Sequence, residues 1–190
     1  MLDSPHPDCY TAVTTVFYRR RMMESIWKTS VWQQFGAAIA MLEDPIVRCP
    51  DQLWTSVLWE DPDDPRYGHF WFVAYHSLFW LDLFLTGSSE GFKPPAPFVR
   101  GSLPDQPYSK AQVLAYLHDC RQRCKATIMG LTDAKAQERC IFEWMQPSFF
   151  ELQLYSMRHV QEHAAQLSLA LGQQGIAGAD WIAQAIDNDL

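Results

Sequence analysis

Phe70-Trp-Phe-Val-Ala-Tyr-His76-Ser-Leu-Phe-Trp-Leu-Asp82-Leu-Phe-Leu85 is the stretch whose reading decides the fold. Apolar and aromatic side chains cover almost the whole helical wheel, so a helix here must be buried on most sides. At 16 residues it falls short of the roughly 20 that span a bilayer. The helix is expected from about Tyr67 to Leu85, stopping at Gly87. A core helix of this kind needs several amphipathic partners around it.

Three such partners follow from spacing and from capping boxes, in which a Ser is followed three residues later by Gln or Glu. Ser30 with Gln33 opens a segment that places Trp32, Phe35, Ile39 and Leu42 on one face and is expected to end before Pro45. A weaker helical stretch from about Tyr10 precedes it. Ser109 with Gln112 opens a helix through Val113, Leu117, Cys120, Cys124 and Ile128 to about Gly130. Ser148 with Glu151 opens another, running to about Leu171 before Gly172 and Gly175. Two loop-rich connections separate these helices, Pro45 to Pro65 and residues 86–108. The second, at 23 residues, exceeds the roughly 2–8 usual in bundles and suits a crossover along the bundle's length. No period-2 alternation is sustained, so the expected class is all-α.

Composition narrows the function. With 15 Lys+Arg against 22 Asp+Glu, the chain carries a formal charge of −7, the wrong sign for a phosphate backbone. The basic run Arg19-Arg20-Arg21 reads as a solvated helix end, and nucleic acid is not an expected partner. The mild apolar run Ala12–Tyr18 precedes those arginines instead of following them, so no secretory signal and no membrane span is expected. Five cysteines without a C-x-x-C, in a chain of 190 residues, read as reduced thiols in the cytosol.

The candidate chemistry sits on histidines. His159 and His163 are four residues apart, about 40° around the helix and about 6 Å along it, so both rings can reach one ion. Leu152, Tyr155, Gln166 and Ala170 fall near the same line. His76 sits in the buried helix and needs a hydrogen-bond partner or a metal, since leaving it unsatisfied costs about 1–3 kcal/mol. Three neutral imidazoles with open positions suit zinc, and also nickel or iron. Spacing alone leaves open whether His76, more than eighty residues away, meets the other two; a lone core histidine is the plainer reading of it. His159-Val160-Gln161-Glu162-His163 also matches the H-x-x-E-H pattern of inverted zincins. That class needs a downstream Glu ligand, and no Glu follows Glu162, which reads as a helix-surface residue. His118 lies about 200° from Cys120, so Cys120 and Cys124 read as core thiols. His6 and His69 read as exposed single histidines.

The segment Trp71–Phe84, with His76, resembles the second helix of the DinB-like superfamily of helical bundles. Leu154-Tyr-Ser-Met-Arg-His-Val-Gln-Glu-His-Ala-Ala-Gln-Leu167 resembles its fourth helix. Ser109–Leu131 and the tail from Asp180-Trp181 support the match, which covers roughly residues 30–186. The resemblance implies a four-helix bundle in an up-up-down-down arrangement, often a homodimer, with residues 1–25 as an extension and 26–190 as the bundle. It implies a divalent ion held by three histidines, at the positions of His76, His159 and His163. Relatives include thiol-dependent transferases and isomerases and some hydrolases, which implies a small-molecule substrate or thiol. Tyr155, Gln166 and Asp82 are candidate groups around the ligands, because a metal-bound imidazole commonly donates its other N–H to such a side chain. A non-catalytic metal-binding or dimeric stress-response module is the alternative.

Overall fold

The computed structural model describes residues 8–101, 103–178 and 180–185, with side chains from residue 26 onward. Its helices are α1 (Asp8–Arg48), α2 (Phe70–Thr86), α3 (Lys110–Gly130), α4 (Asp133–Gln137) and α5 (Phe149–Gln173), with two short 3-10 turns between α1 and α2. Among the described residues there are only isolated β-bridges and no strands. The all-α class holds.

The caps expected at Ser109 and Ser148 are present. Ser109 accepts from the backbone N–H of Gln112, whose side chain accepts from the Ser109 N–H in return. Ser148 accepts from the Glu151 N–H. Gly87, at φ 80°, ends α2 in the left-handed conformation that a side chain disfavours. The box at Ser30 is a correction. Here α1 is already helical and crosses position 25 without a break, so the Ser30 hydroxyl turns back to donate to the Ile26 carbonyl at 2.9 Å. Arg19-Arg20-Arg21 fall within that helix and not at its end. Pro45 also lies inside α1, because the turn beyond it carries Ile46 and Cys49, both buried in the core.

α1 packs against α3 and α5, and α2 packs against the same two, so α1 and α2 stand diagonally across the bundle. Contacts along each pair give the directions. Trp27 meets Phe150 and Met41 meets Gln161, which makes α1 and α5 parallel. Lys125 lies over Trp32 while Glu43 bonds His118, so α1 and α3 are antiparallel. Trp71 meets Tyr108 just before α3, and Asp82 meets Arg123 further along it, so α2 and α3 are parallel. Phe84 bonds Gln153 while His76 meets His163, which makes α2 and α5 antiparallel. The order is therefore up, down, down, up, and the up-up-down-down expectation is corrected. The physical reason lies in the connection between α2 and α3: two parallel neighbours need a crossover along the bundle, and among consecutive long helices only this pair is parallel.

The core runs through all four long helices, with Phe35, Ile39, Leu42, Trp71, Leu78, Leu117 and Leu167 essentially buried. The loop before α2 folds back onto that helix's start. Phe70 and Trp71 donate their N–H groups to the carbonyls of Ser56 and Trp54, both at 3.0 Å, which satisfies donors a helix N-terminus leaves free. Gly68 makes this possible: a Cβ there would lie 2.0 Å from the Trp59 carbonyl oxygen. That contact sets the position of Trp59 and Tyr67, which border the site described next.

Candidate metal centre

His159 and His163 project from successive turns of α5 toward α2, and His76 meets them from α2. Ring centroids are 5.3 Å apart for His76 and His159, 5.0 Å for His76 and His163, and 4.4 Å for His159 and His163. One ring nitrogen from each residue lies within 4.8 Å of the others, a group that could hold one ion. The Nε2 atoms of His159 and His163 are 3.0 Å apart. Nitrogens bound about 2.0–2.1 Å from a tetrahedral zinc lie about 3.3 Å from each other, close to this spacing.

Protonation favours the same use. Burial, with the neighbouring histidines adding to it, pushes the His76 pKa down to about 3 and that of His159 down to about 4. Burial also lowers that of His163, against the hydrogen bond to Gln166. All three rings are then neutral near pH 7, with a lone pair each. Gln166, one turn beyond His163, accepts from His163 Nδ1–H at 2.7 Å. This fixes the tautomer in which His163 Nε2 carries the lone pair, as in metal-bound histidines generally. His159 Nδ1 is buried without a hydrogen-bond partner among the described residues. At 3.0 Å the two Nε2 atoms either share one hydrogen or both aim lone pairs at an ion. The donor set is neutral, soft enough for zinc, nickel or iron, and fits such an ion.

Gln166 is thus at the site, whereas Asp82 and Tyr155 are elsewhere. Asp82 accepts from the Tyr116 hydroxyl at 2.6 Å and from Arg123, on the α3 side of α2. It lies six residues from His76, about 120° away around the helix, and so faces another partner. Tyr155 is 40% exposed and packs its ring on Phe84. Glu162 is exposed, as a helix-surface residue should be. Cys120 and Cys124 are buried core thiols, while the exposed His118 pairs with Glu43. Of the two histidines set aside, His69 is half-buried at the start of α2 and His6 lies outside the described residues.

Beside the histidines opens a pocket of about 450 Å³ onto which His76 and His163 face. Phe72, Phe79 and Trp80 line it from α2, and Trp59, Asp61 and Tyr67 from the preceding loop. The loop residues carry no periodic signal, and nothing in the sequence places them here. The only hint was a negative one, a proline-rich connection too long to be a simple turn.

A family profile described as the DinB superfamily matches residues 31–167. The chain belongs to the DinB superfamily. The match takes in α2, α3 and the histidine pair of α5, the elements that build the centre. Comparisons with curated proteins and with solved structures found no match for this DinB-superfamily chain. No helix among its described residues is long and apolar enough to cross a membrane.

Proposed function

We propose that this DinB-superfamily protein is a metal-dependent transferase or hydrolase acting on a small molecule, with His76, His159 and His163 as the ligands of one zinc, nickel or iron ion. The observation that carries the reading is three neutral imidazoles converging on one point, two of them, His76 and His163, facing an open pocket. Held there by His76, His159 and His163, a divalent ion would supply Lewis-acid chemistry, lowering the pKa of a thiol or water toward neutral. The chain's own residues do the rest. Three protein ligands would leave a bound ion with positions open to a substrate, as catalytic sites do. Gln166 holds the His163 ring in the ligating tautomer, and Phe72, Phe79 and Trp80 give the pocket an apolar wall beside it.

The four described cysteines are free and buried, which supports a cytoplasmic setting and leaves any reacting thiol to come from a co-substrate. Exposed Ile141 and Trp144, at 68% and 53%, support a homodimer. We take residues 26–190 as the bundle unit and 1–25 as an extension of it.

Metal analysis of tag-free protein tests the foundation. About one equivalent of a transition metal is expected in the wild type and less than about 0.3 in His159→Ala, with the fold retained by circular dichroism. Equal metal content in both proteins would sink the reading. A panel of small thiols with electrophiles, and of hydrolysable esters and amides, then separates an enzyme from a metal-binding module. The module predicts bound metal and a chelator-sensitive Tm without turnover.

A further inference from the structure

The pocket has an uneven chemistry that goes beyond the presence of a metal. Its wall toward α2 is a ladder of rings at successive helical turns, Phe72, His76 and Trp80, with centroids 5.7 Å and 6.0 Å apart. Tyr67 extends it outward, 4.9 Å from Phe72, and Trp59 stands beside it with 38% of its surface exposed. Among the lining residues there is no Lys or Arg, and Asp61 is the one carboxylate. Its Oδ1 accepts from the backbone N–H groups of Asp63 and Asp64 at 3.1 and 3.4 Å. No ion pair to Asp61 occurs among the described residues. The neighbouring Asp64, by contrast, is held by Arg66 at 2.7 Å. A half-buried carboxylate without a cation, set among aromatic faces, is complementary to a positive charge. Ring faces attract cations by their quadrupole, most strongly for weakly hydrated ammonium groups. An anionic substrate would instead meet a like charge and find no donor cation to pair with.

We infer that the substrate of this site is a small organic cation: an ammonium, best a methylated one, held by Asp61 between Trp59, Tyr67 and Phe72. Its apolar body lies along Phe79 and Trp80, which brings the far end to His76 and His163. The inference rests on reading the histidine pocket as the substrate site, but not on the metal or on turnover.

Isothermal titration calorimetry on chelator-treated protein tests it with three probes of one shape: 4-(trimethylammonio)phenol, neutral 4-tert-butylphenol and anionic 4-hydroxybenzoate. The cation is expected to bind at least about tenfold tighter than its neutral isostere, and the anion not measurably. Asp61→Asn keeps the oxygen that accepts from Asp63 and Asp64, so the loop turn survives while the charge is removed. In that variant the preference should shrink to within about threefold. Equal binding of cation and isostere by the wild type, absence of binding by all three probes, or a preference untouched by Asp61→Asn would each overturn the inference. Zinc titration of the same samples is read separately. Zinc binding without cation preference leaves the metal reading standing and removes this one, and the reverse result does the opposite.

Discussion

Helix α2 carries two polar clusters on different faces, and they are finished to different degrees. Toward α3, Asp82 is 3% exposed and fully engaged, with Tyr116 on one oxygen and Arg123 on the other. Arg123 in turn bonds Asp119 at 2.8 Å. Toward α5, His76, His159 and His163 share one contact among their Nε2 atoms and one anchor, Gln166, and leave His159 Nδ1 without a partner. A buried polar group left unpaired costs about 1–3 kcal/mol, so the first cluster supports the fold while the second subtracts from it. The difference separates a structural network from a binding site. Completed pairs fix the register of α2 on α3; incomplete ones wait for something that binds.

Acidification is the largest lever on this difference. In the metal-free protein the folded pKa values of His76 and His159 lie near 3 and 4, and that of His163 is also lowered, against about 6.5 unfolded. Between those values the unfolded chain binds the protons that the folded chain refuses. Stability therefore rises with pH across the window and is lost as pH falls from about 6.5 toward 4. Each histidine contributes a slope on the order of 1 kcal/mol per pH unit, several kcal/mol in all. Urea denaturation at pH 7, 6, 5 and 4.5 should show this loss. Replacing His76 by Leu should flatten it by about a third. An unchanged pH profile in His76→Leu would mean that the histidine cluster is not where the protons go.

Removing Arg123 acts on the finished cluster and should be the next largest effect. Breaking a buried ion pair from one side costs about 3–5 kcal/mol, and Arg123 is 40% exposed, so about 2–3 kcal/mol is the expected loss for Arg123→Ala. Zinc affinity should stay within about twofold, because the cluster faces away from the histidines. A matching loss of zinc binding would show that the two faces of α2 are coupled, and the comparison would fail.

What the sequence disclosed follows the range over which each signal acts. Ser109 and Ser148 announced their helices because a cap is a contact across three residues. The same local pattern misled at Ser30, where the chain upstream was already helical and the hydroxyl had a carbonyl four residues back to bond. His159, His163 and Gln166 were legible as a unit through i, i+3 and i, i+4 spacing. His76 was not, since no local rule links it to a helix more than eighty residues later; the family resemblance linked them. Asp82 shows the converse error. Sharing a helix with His76 suggested a shared site, but six residues of rotation turn it toward α3. The direction of α3 relative to α2, and the rim formed by Trp59, Asp61 and Tyr67, depend on how loops fold back, and loops carry no period to read.

Gln166 offers the smallest effect and the sharpest test of the unfinished cluster. Among the described residues it is the one side chain outside the three histidines that bonds a ligand ring, accepting from His163 Nδ1–H at 2.7 Å. Such partners are worth about 10–100-fold in metal affinity, and the low end is expected where the ring is also held by packing between α2 and α5. Gln166→Leu should weaken zinc binding about tenfold, measured by competition with a chromophoric chelator, and cost about 1 kcal/mol of metal-free stability as His163 Nδ1–H loses its acceptor. Gln166→Glu keeps an acceptor oxygen at the same reach and should restore the affinity. If Leu and Glu weaken binding alike, the amide does not set the tautomer, and packing alone aims the His163 ring. If Leu costs a thousandfold, Gln166 is itself a ligand, and the centre has four protein donors where three leave room for a substrate.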